Sequence, residues 1–191
     1  MKEDTCTTNL TGHFLIAMPS LNDSAFGNTI TYICEHNEQG AMGLVINHPL
    51  QLNLDDVFAH LNIEDITTAH TDHILAGGPV QTERGFVLHE QQSNLQWEGT
   101  QTIADDICLT TSQDILTDIA HNKGPEHSLV ALGYAGWGAG QLEEEIAQNA
   151  WLTTPADNDI IFRTPIERRA SAAAAQLGID LTLISPQAGH S

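Results

Sequence analysis

The chain has 191 residues, 41% of them hydrophobic, which is enough apolar material for a core and well above disordered compositions. Six Lys and Arg stand against 25 Asp and Glu, a net charge of −19, which excludes the cationic footprint that nucleic acid or an anionic membrane surface requires. Four of the cations, Arg84, Arg163, Arg168 and Arg169, are scattered or confined to one late segment. Residues 1–9 are polar and read as a flexible N-terminus ahead of a single domain over 10–191. Gly12 to Met18 predicts a strand stopped by Pro19-Ser20. Thr29 to Cys34 and Met42 to Asn47, joined by a polar turn through His36 to Gly40, predict a hairpin at the heart of a sheet. Asn53 caps a short helix in which Leu54, Val57, Phe58 and Leu61 share one face. Ile74 to Ala76 is a short strand running into the breaker Gly77-Gly78-Pro79, and Phe86 to His89 and Ile107 to Leu109 follow as strands.

Thr111 and Asp114 have capping-box spacing for a helix through Ile115, Leu116 and Ile119, ended by Gly124-Pro125. Ser128 to Leu132 is a strand that feeds a glycine-rich turn over Gly133 to Gly140, and a helix follows from Gln141 to Trp151. The last helix has Thr164 as its cap, Pro165 in its first turn, Glu167 completing the box and Gly178 beyond its end. Its body, Ala170 to Leu177, is alanine-rich, which suits close packing on a sheet. Hairpins beside strands separated by helices predict an α+β fold, a mixed β-sheet flanked by helices.

Long motifs carry a resemblance. They are GHFLIAMP from Gly12, CEHN from Cys34, GAMGLVINHP from Gly40, GGPV from Gly77, RGFVLH from Arg84, ALGYAGWGAGQLEEEI from Ala131, and NAWL from Asn149. In these the chain is similar to the YqgE/AlgH family of small acidic bacterial proteins, from Leu10 to the C-terminus. The resemblance implies a compact AlgH-like α+β fold and brings with it no reaction and no catalytic residues. Some members are labelled transcriptional regulators; with this charge, regulation is expected to be indirect rather than by DNA contact. One departure is His48, where the family pattern has Arg, so a fixed cation there is not carried over.

Candidate site residues follow from the same segments. Cys34, Glu35 and His36 alternate so that Cys34 and His36 share one face, the geometry of a cysteine–histidine pair in a hydrolase or transferase. The commoner arrangement is a buried structural cysteine beside a turn-forming histidine. Gly133 to Gly140 lacks the Lys-Ser/Thr of a phosphate loop and the spacing of a dinucleotide fingerprint, and Glu143, Glu144 and Glu145 would repel phosphate. The expectation is a tight turn whose glycines, Gly136 among them, let Tyr134 and Trp137 pack closely, with a neutral or cationic ligand stacked on Trp137 as the alternative. Gly77-Gly78 with Arg84 predicts a shaped loop in which Arg84 meets an internal Asp or Glu, or alternatively a substrate carboxylate. Asn47, closing the second hairpin strand, completes the set. The ten His residues form no metal motif, and no cofactor motif is present; convergence of His13, His48 and His89 is left to the fold. Cys6, Cys34 and Cys108 form no paired framework, the N-terminus lacks the apolar core of a signal peptide, and cytoplasm is the expected compartment. The function these features predict is a binding or interaction protein for a small molecule or a protein partner, with an enzyme built on Cys34 and His36 as the alternative.

Overall fold

A computed structural model describes residues 8–22, 24 and 26–184. Its strands are β1 (His13–Ala17), β2 (Ile30–Asn37), β3 (Gly40–Val45), β4 (Pro49–Asn53), β5 (His73–Ala76), β6 (Val80–Glu90), β7 (Thr100–Ala104), β8 (Ile107–Thr110), β9 (Ser128–Gly138) and β10 (Trp151–Pro155). They form one sheet whose main path runs β10-β1-β2-β3-β9-β6-β8-β7. β4 pairs antiparallel with β5, and β5 pairs parallel with β9 through Leu75 with Ala131 and Ala76 with Leu132, so the sheet is mixed. The helices are α1 (Leu54–His60), α2 (Asp114–Ala120), α3 (Gln141–Ala147), α4 (Arg169–Ala175) and α5 (Leu181–Ile184). The fold is α+β, as the sequence predicts.

Side-chain alternation sorts the strands into an inside and an outside. On β2, Ile30, Tyr32 and Cys34 join an interior cluster with Phe14, Leu44, Leu88 and Leu109, while Ile33 faces outward. The sheet curls until its two ends meet: a Cβ on Gly12, just before β1, would lie 2.8 Å from the Cβ of Ala104 at the end of β7. One end of the curl is plugged by a π-helical turn, Asp159–Arg163, and by α4, which insert Ile160, Ile161, Ala173 and Ala174 into the interior. Alanine at the last two positions lets the helix backbone approach the sheet closely, as the alanine-rich body predicts. Asn158 ties this plug to β8's approach by donating to the Asp106 carboxylate at 3.0 Å. Outside, α1 and α2 cover Ile74, Val87 and Val130, and α3 covers Leu15, Ile33 and Ala135.

Several predicted elements change on folding. The Gly133 to Gly140 segment is strand as far as Gly138, because Gly136 and Trp137 pair with Met42 and Ala41 of β3. The helix expected to reach Trp151 ends at Ala147, and Trp151 opens β10, pairing with Ala17. β4 and β7 carry mostly exposed or half-buried residues and lacked a strand signal. The hairpin forms as predicted, though β2 continues to Asn37. Asn53 builds the expected cap, reinforced by a reciprocal bond with Asp56. The Thr111–Asp114 box does not form; Asp114 instead accepts from Ser112 Oγ and from the Glu98 amide. Thr164 is extended rather than a cap, its hydroxyl donating to the Asp159 carbonyl, and a 3₁₀ turn over Ile166–Arg168 precedes α4. No helix of the described residues is long and apolar enough to cross a membrane.

Candidate functional site

The register of β2 against β3 decides the fate of the Cys34-Glu35-His36 run. Ile33 pairs with Gly43 but Glu35 pairs with Met42, so Cys34 is the extra residue of a β-bulge. A one-residue shift reverses the faces that follow it. Cys34 therefore stays in the interior, 5% exposed, while His36 turns to the outer face. The Sγ of Cys34 approaches only the Tyr32 carbonyl, at 3.8 Å, and burial, with Glu35 adding to it, pushes the thiol well above its ordinary pKa. His36 Nδ1 accepts the Leu10 amide at 3.0 Å, which leaves Nε2 to donate to Glu143 at 2.7 Å. Both ring nitrogens are thus committed to clamping the N-terminal segment and α3. The shared face expected of Cys34 and His36 does not exist, because alternation was counted without the bulge.

The glycine pair is a crossing point where two backbones touch. A Cβ on Gly77 would stand 2.3 Å from the Gly133 carbonyl oxygen, and one on Gly78 2.1 Å from the Tyr134 carbonyl carbon. Asn47 is likewise structural: its Oδ1 accepts the Ile30 amide at 3.1 Å and its Nδ2 donates to the Asn28 carbonyl at 2.9 Å.

Other candidates do converge. The end of the curl opposite the plug is open, and a groove of about 910 Å³ there is lined by Glu35, Met42, Arg84, Phe86, Tyr134 and Gly136, among others. Phe86 and Tyr134 meet edge to face, with ring centroids 5.8 Å apart. Arg84 stands over the Phe86 ring at 5.4 Å and donates to Gln81 Oε1 at 3.3 Å. The internal carboxylate expected for Arg84 is not found among the described residues, whose ion pairs are His36–Glu143, His127–Glu90 and Arg163 with Glu90 and Asp159. The cause lies in β6. Val80 pairs with Tyr134 and Gly85 with Leu132, so Gln81 to Arg84 bulge outward, with Gln81 at φ 47°. The bulge lifts Arg84 to the rim of the groove. Beyond Tyr134, β9 has no further pairing with β6, so its edge also borders the opening.

Trp137 borders the groove, but its ring lies on the outer face, stacked with Phe26 at 6.1 Å and donating to Glu145 Oε2 at 2.9 Å. The ring packs against Phe26 and α3, as the expectation of close packing has it. Trp151 donates to the same Oε2 at 2.8 Å, so Glu145 joins β9, α3 and β10. In the sequence Glu145 figures only as one of three carboxylates that would repel phosphate; two tryptophans flanking one acidic helix were the available signal for this role. Met42, Gln101 and Leu109 were also missed as lining residues, since only curling brings β3, β7 and β8 to one opening. Among the described residues no group of three or more His, Cys, Asp and Glu side chains could hold a metal ion, so His13, His48 and His89 do not converge on one.

Comparison with known proteins places this geometry in context. The family model described as AlgH-like matches residues 14–182. A protein of Thioalkalivibrio sulfidiphilus is 56% identical over 97% of this chain and 99% of its own length. The AlgH protein of Pseudomonas aeruginosa is 55% identical over 96% of each chain. The solution structure of AlgH from that organism superposes over 100% of both chains with a TM-score of 0.77 and 54% identity. A crystal structure from Corynebacterium diphtheriae shares the fold, with a TM-score of 0.74 at 18% identity over 92% of this chain and 91% of that one.

Proposed function

This chain belongs to the AlgH-like family, and from that premise we propose that it is a binding protein whose ligand site is the open mouth of the curled sheet. One observation carries the reading. A curl plugged at one end presents at the other a groove with an apolar floor of Met42, Phe86 and Tyr134 and a cation, Arg84, at its rim. Ligand sites favour such mouths, where apolar walls hold the body of a molecule and a few polar groups orient it. The ligand class this fits is a small molecule with an aromatic or aliphatic body and a carboxylate, the carboxylate meeting Arg84.

An enzyme is the weaker reading. Nucleophilic catalysis needs a base in reach of the nucleophile, and Cys34 is buried with His36 bound elsewhere. Regulation of transcription, if it occurs, is proposed to act through a ligand or a protein partner, since six cations against 25 acids supply no surface for DNA. We place the protein in the cytoplasm, a setting that suits the free thiols of Cys34 and Cys108.

The test is a titration of the ¹⁵N-labelled protein with benzoate and phenylacetate. Saturable shifts at the Tyr134 and Gly136 amides are expected, with affinity about tenfold weaker in Arg84→Ala, the usual cost of losing a charge-assisted hydrogen bond. Shifts that never saturate at these positions sink the mouth as a site for this ligand class. Turnover of any compound that Cys34→Ala abolishes would replace the binding reading with the enzymatic one.

A further inference from the structure

The mouth borders an interrupted ladder. β6 accompanies β9 only as far as Val80 with Tyr134, while β3 runs along the other side of β9 from Ala135 to Gly138. Among the described residues, β9 is thus paired on one side alone from Ala135 onward. In an antiparallel ladder, successive residues turn their main-chain groups to opposite sides. The Gly138 amide donates to Gln141 Oε1 at 3.0 Å, so it faces away from β3, and so does Gly136 two positions earlier. Gln141 caps the Gly138 N–H. What stays open is the N–H and C=O of Gly136 and the C=O of Gly138.

Two further observations fall at the same corner. Gly136 is exposed and is not one of the glycines with positive φ. Among the described residues, a Cβ there would meet only Tyr134 Cε2 at 3.4 Å and Val80 Cγ2 at 4.0 Å. Neither backbone conformation nor crowding demands a glycine, and a glycine inside a strand suits the close approach of a ligand or a second backbone. The other observation is Arg84. Val80 borders the Gly136 position, and its neighbour Gln81 accepts from Arg84 Nη1 at 3.3 Å. All four residues line the one groove. A single bond to a neutral amide leaves most donors of this exposed guanidinium for a ligand.

We propose that the mouth binds the C-terminus of an extended peptide, whose last residue adds to the open edge of β9 opposite Gly136. This rests on the mouth as the ligand site and names what occupies it. Running antiparallel to β9, the peptide takes up the ladder where β6 leaves it. Its last N–H donates to the Gly136 carbonyl, and its terminal carboxylate accepts from the Gly136 amide and from Arg84. The residue two places earlier donates to the Gly138 carbonyl. A side chain opposite Gly136 shares the face of that position, over Tyr134 and Phe86, so a large apolar last residue fits. Glu35 stands two strands across, in register with Met42 and Gly136, and opposes an acidic side chain there. Strand addition of this kind draws affinity from main-chain bonds and selectivity from the pockets that side chains enter.

The experiment titrates the ¹⁵N-labelled full chain with acetyl-Ala-Ala-Ala-Phe bearing a free carboxylate. The same peptide as its C-terminal amide, the same peptide methylated on the phenylalanine nitrogen, acetylphenylalanine and benzoate serve as comparisons. The free acid is expected to saturate and to slow hydrogen exchange at the Gly136 amide. Amidation is expected to weaken binding about tenfold, the scale of a hydrogen bond to a charged group, and this difference should vanish in Arg84→Ala. Methylation is expected to cost about fivefold, the scale of one main-chain hydrogen bond, and acetylphenylalanine to bind about fivefold more weakly than the peptide. Equal affinities for the peptide, its methylated form and acetylphenylalanine would overturn strand addition. Saturation by benzoate without saturation by the peptide overturns this proposal and leaves the mouth as a small-molecule site. Saturation by neither overturns both.

Discussion

His89 occupies a buried position in β6 that favours the neutral imidazole. It is 2% exposed, its Nδ1 donates to the Glu90 carbonyl at 3.0 Å, and Nε2 is hydrogen-bonded to Thr110 Oγ1 at 2.8 Å. Burial lowers its pKa from the ordinary 6.5, with the Glu90 carbonyl partly opposing. The unfolded chain therefore takes up this proton more readily than the folded one. The stability that neutral His89 contributes is present above the unfolded pKa and is lost as pH falls through the folded value. Urea unfolding at about pH 7.5 and at about pH 5 tests this. The wild type is expected to lose more stability than His89→Gln, which does not titrate; equal losses would remove His89 as the cause. Histidine chemistry of this kind was not legible in the sequence. His89 stood in a predicted strand, but its face and its partner on β8 depend on pairing with residues about twenty positions away, a separation of 21 for Thr110.

At the scale of elements, the β5–β6 connection and β9 are locked by glycines that touch backbone to backbone. Gly78 is at φ +156° and Gly133 at φ +74°, and a Cβ on Gly133 would meet the Gly78 carbonyl oxygen at 2.5 Å. Gly78→Ala is expected to destabilise the protein by about 3 kcal/mol, since rigid backbone on both sides must move. Gly140 is the control: its φ is +75° but no atom lies within 4 Å of its virtual Cβ. Gly140→Ala is expected to cost only the left-handed strain, about 1 kcal/mol. Chemical denaturation of the two variants measures the difference, and similar losses would refute the crossing argument. The breaker Gly77-Gly78-Pro79 was visible in the sequence, but its reason was not. A run of small residues reads equally as a turn, and only the facing strand shows that the glycines accommodate a neighbour. The same limit made a strand of 11 residues, Ser128–Gly138, read as a strand and then a turn.

Across the whole molecule, a net charge of −19 sets the electrostatics. Self-repulsion among exposed carboxylates destabilises a compact state, and salt screens it over a Debye length of about 10 Å at 0.1 M. The melting temperature is expected to rise between about 10 mM and about 0.5 M sodium chloride. A melting temperature that falls over this range would show that specific ion pairs, such as Arg163 with Asp159 and Glu90, outweigh the general repulsion. Composition by itself determined this electrostatic character, and local patterning determined the α+β class, the β2–β3 hairpin and the capped start of α1. These follow from nearest neighbours in the chain, where apolar period and cap chemistry act. The proposed site was decided only by tertiary structure. Glu35, Arg84, Tyr134 and Gly136 come together because the sheet curls and two bulges set which residues reach the opening. The first of those bulges also separates Cys34 from His36. Bulge and register are properties of paired strands, so one strand's sequence cannot contain them.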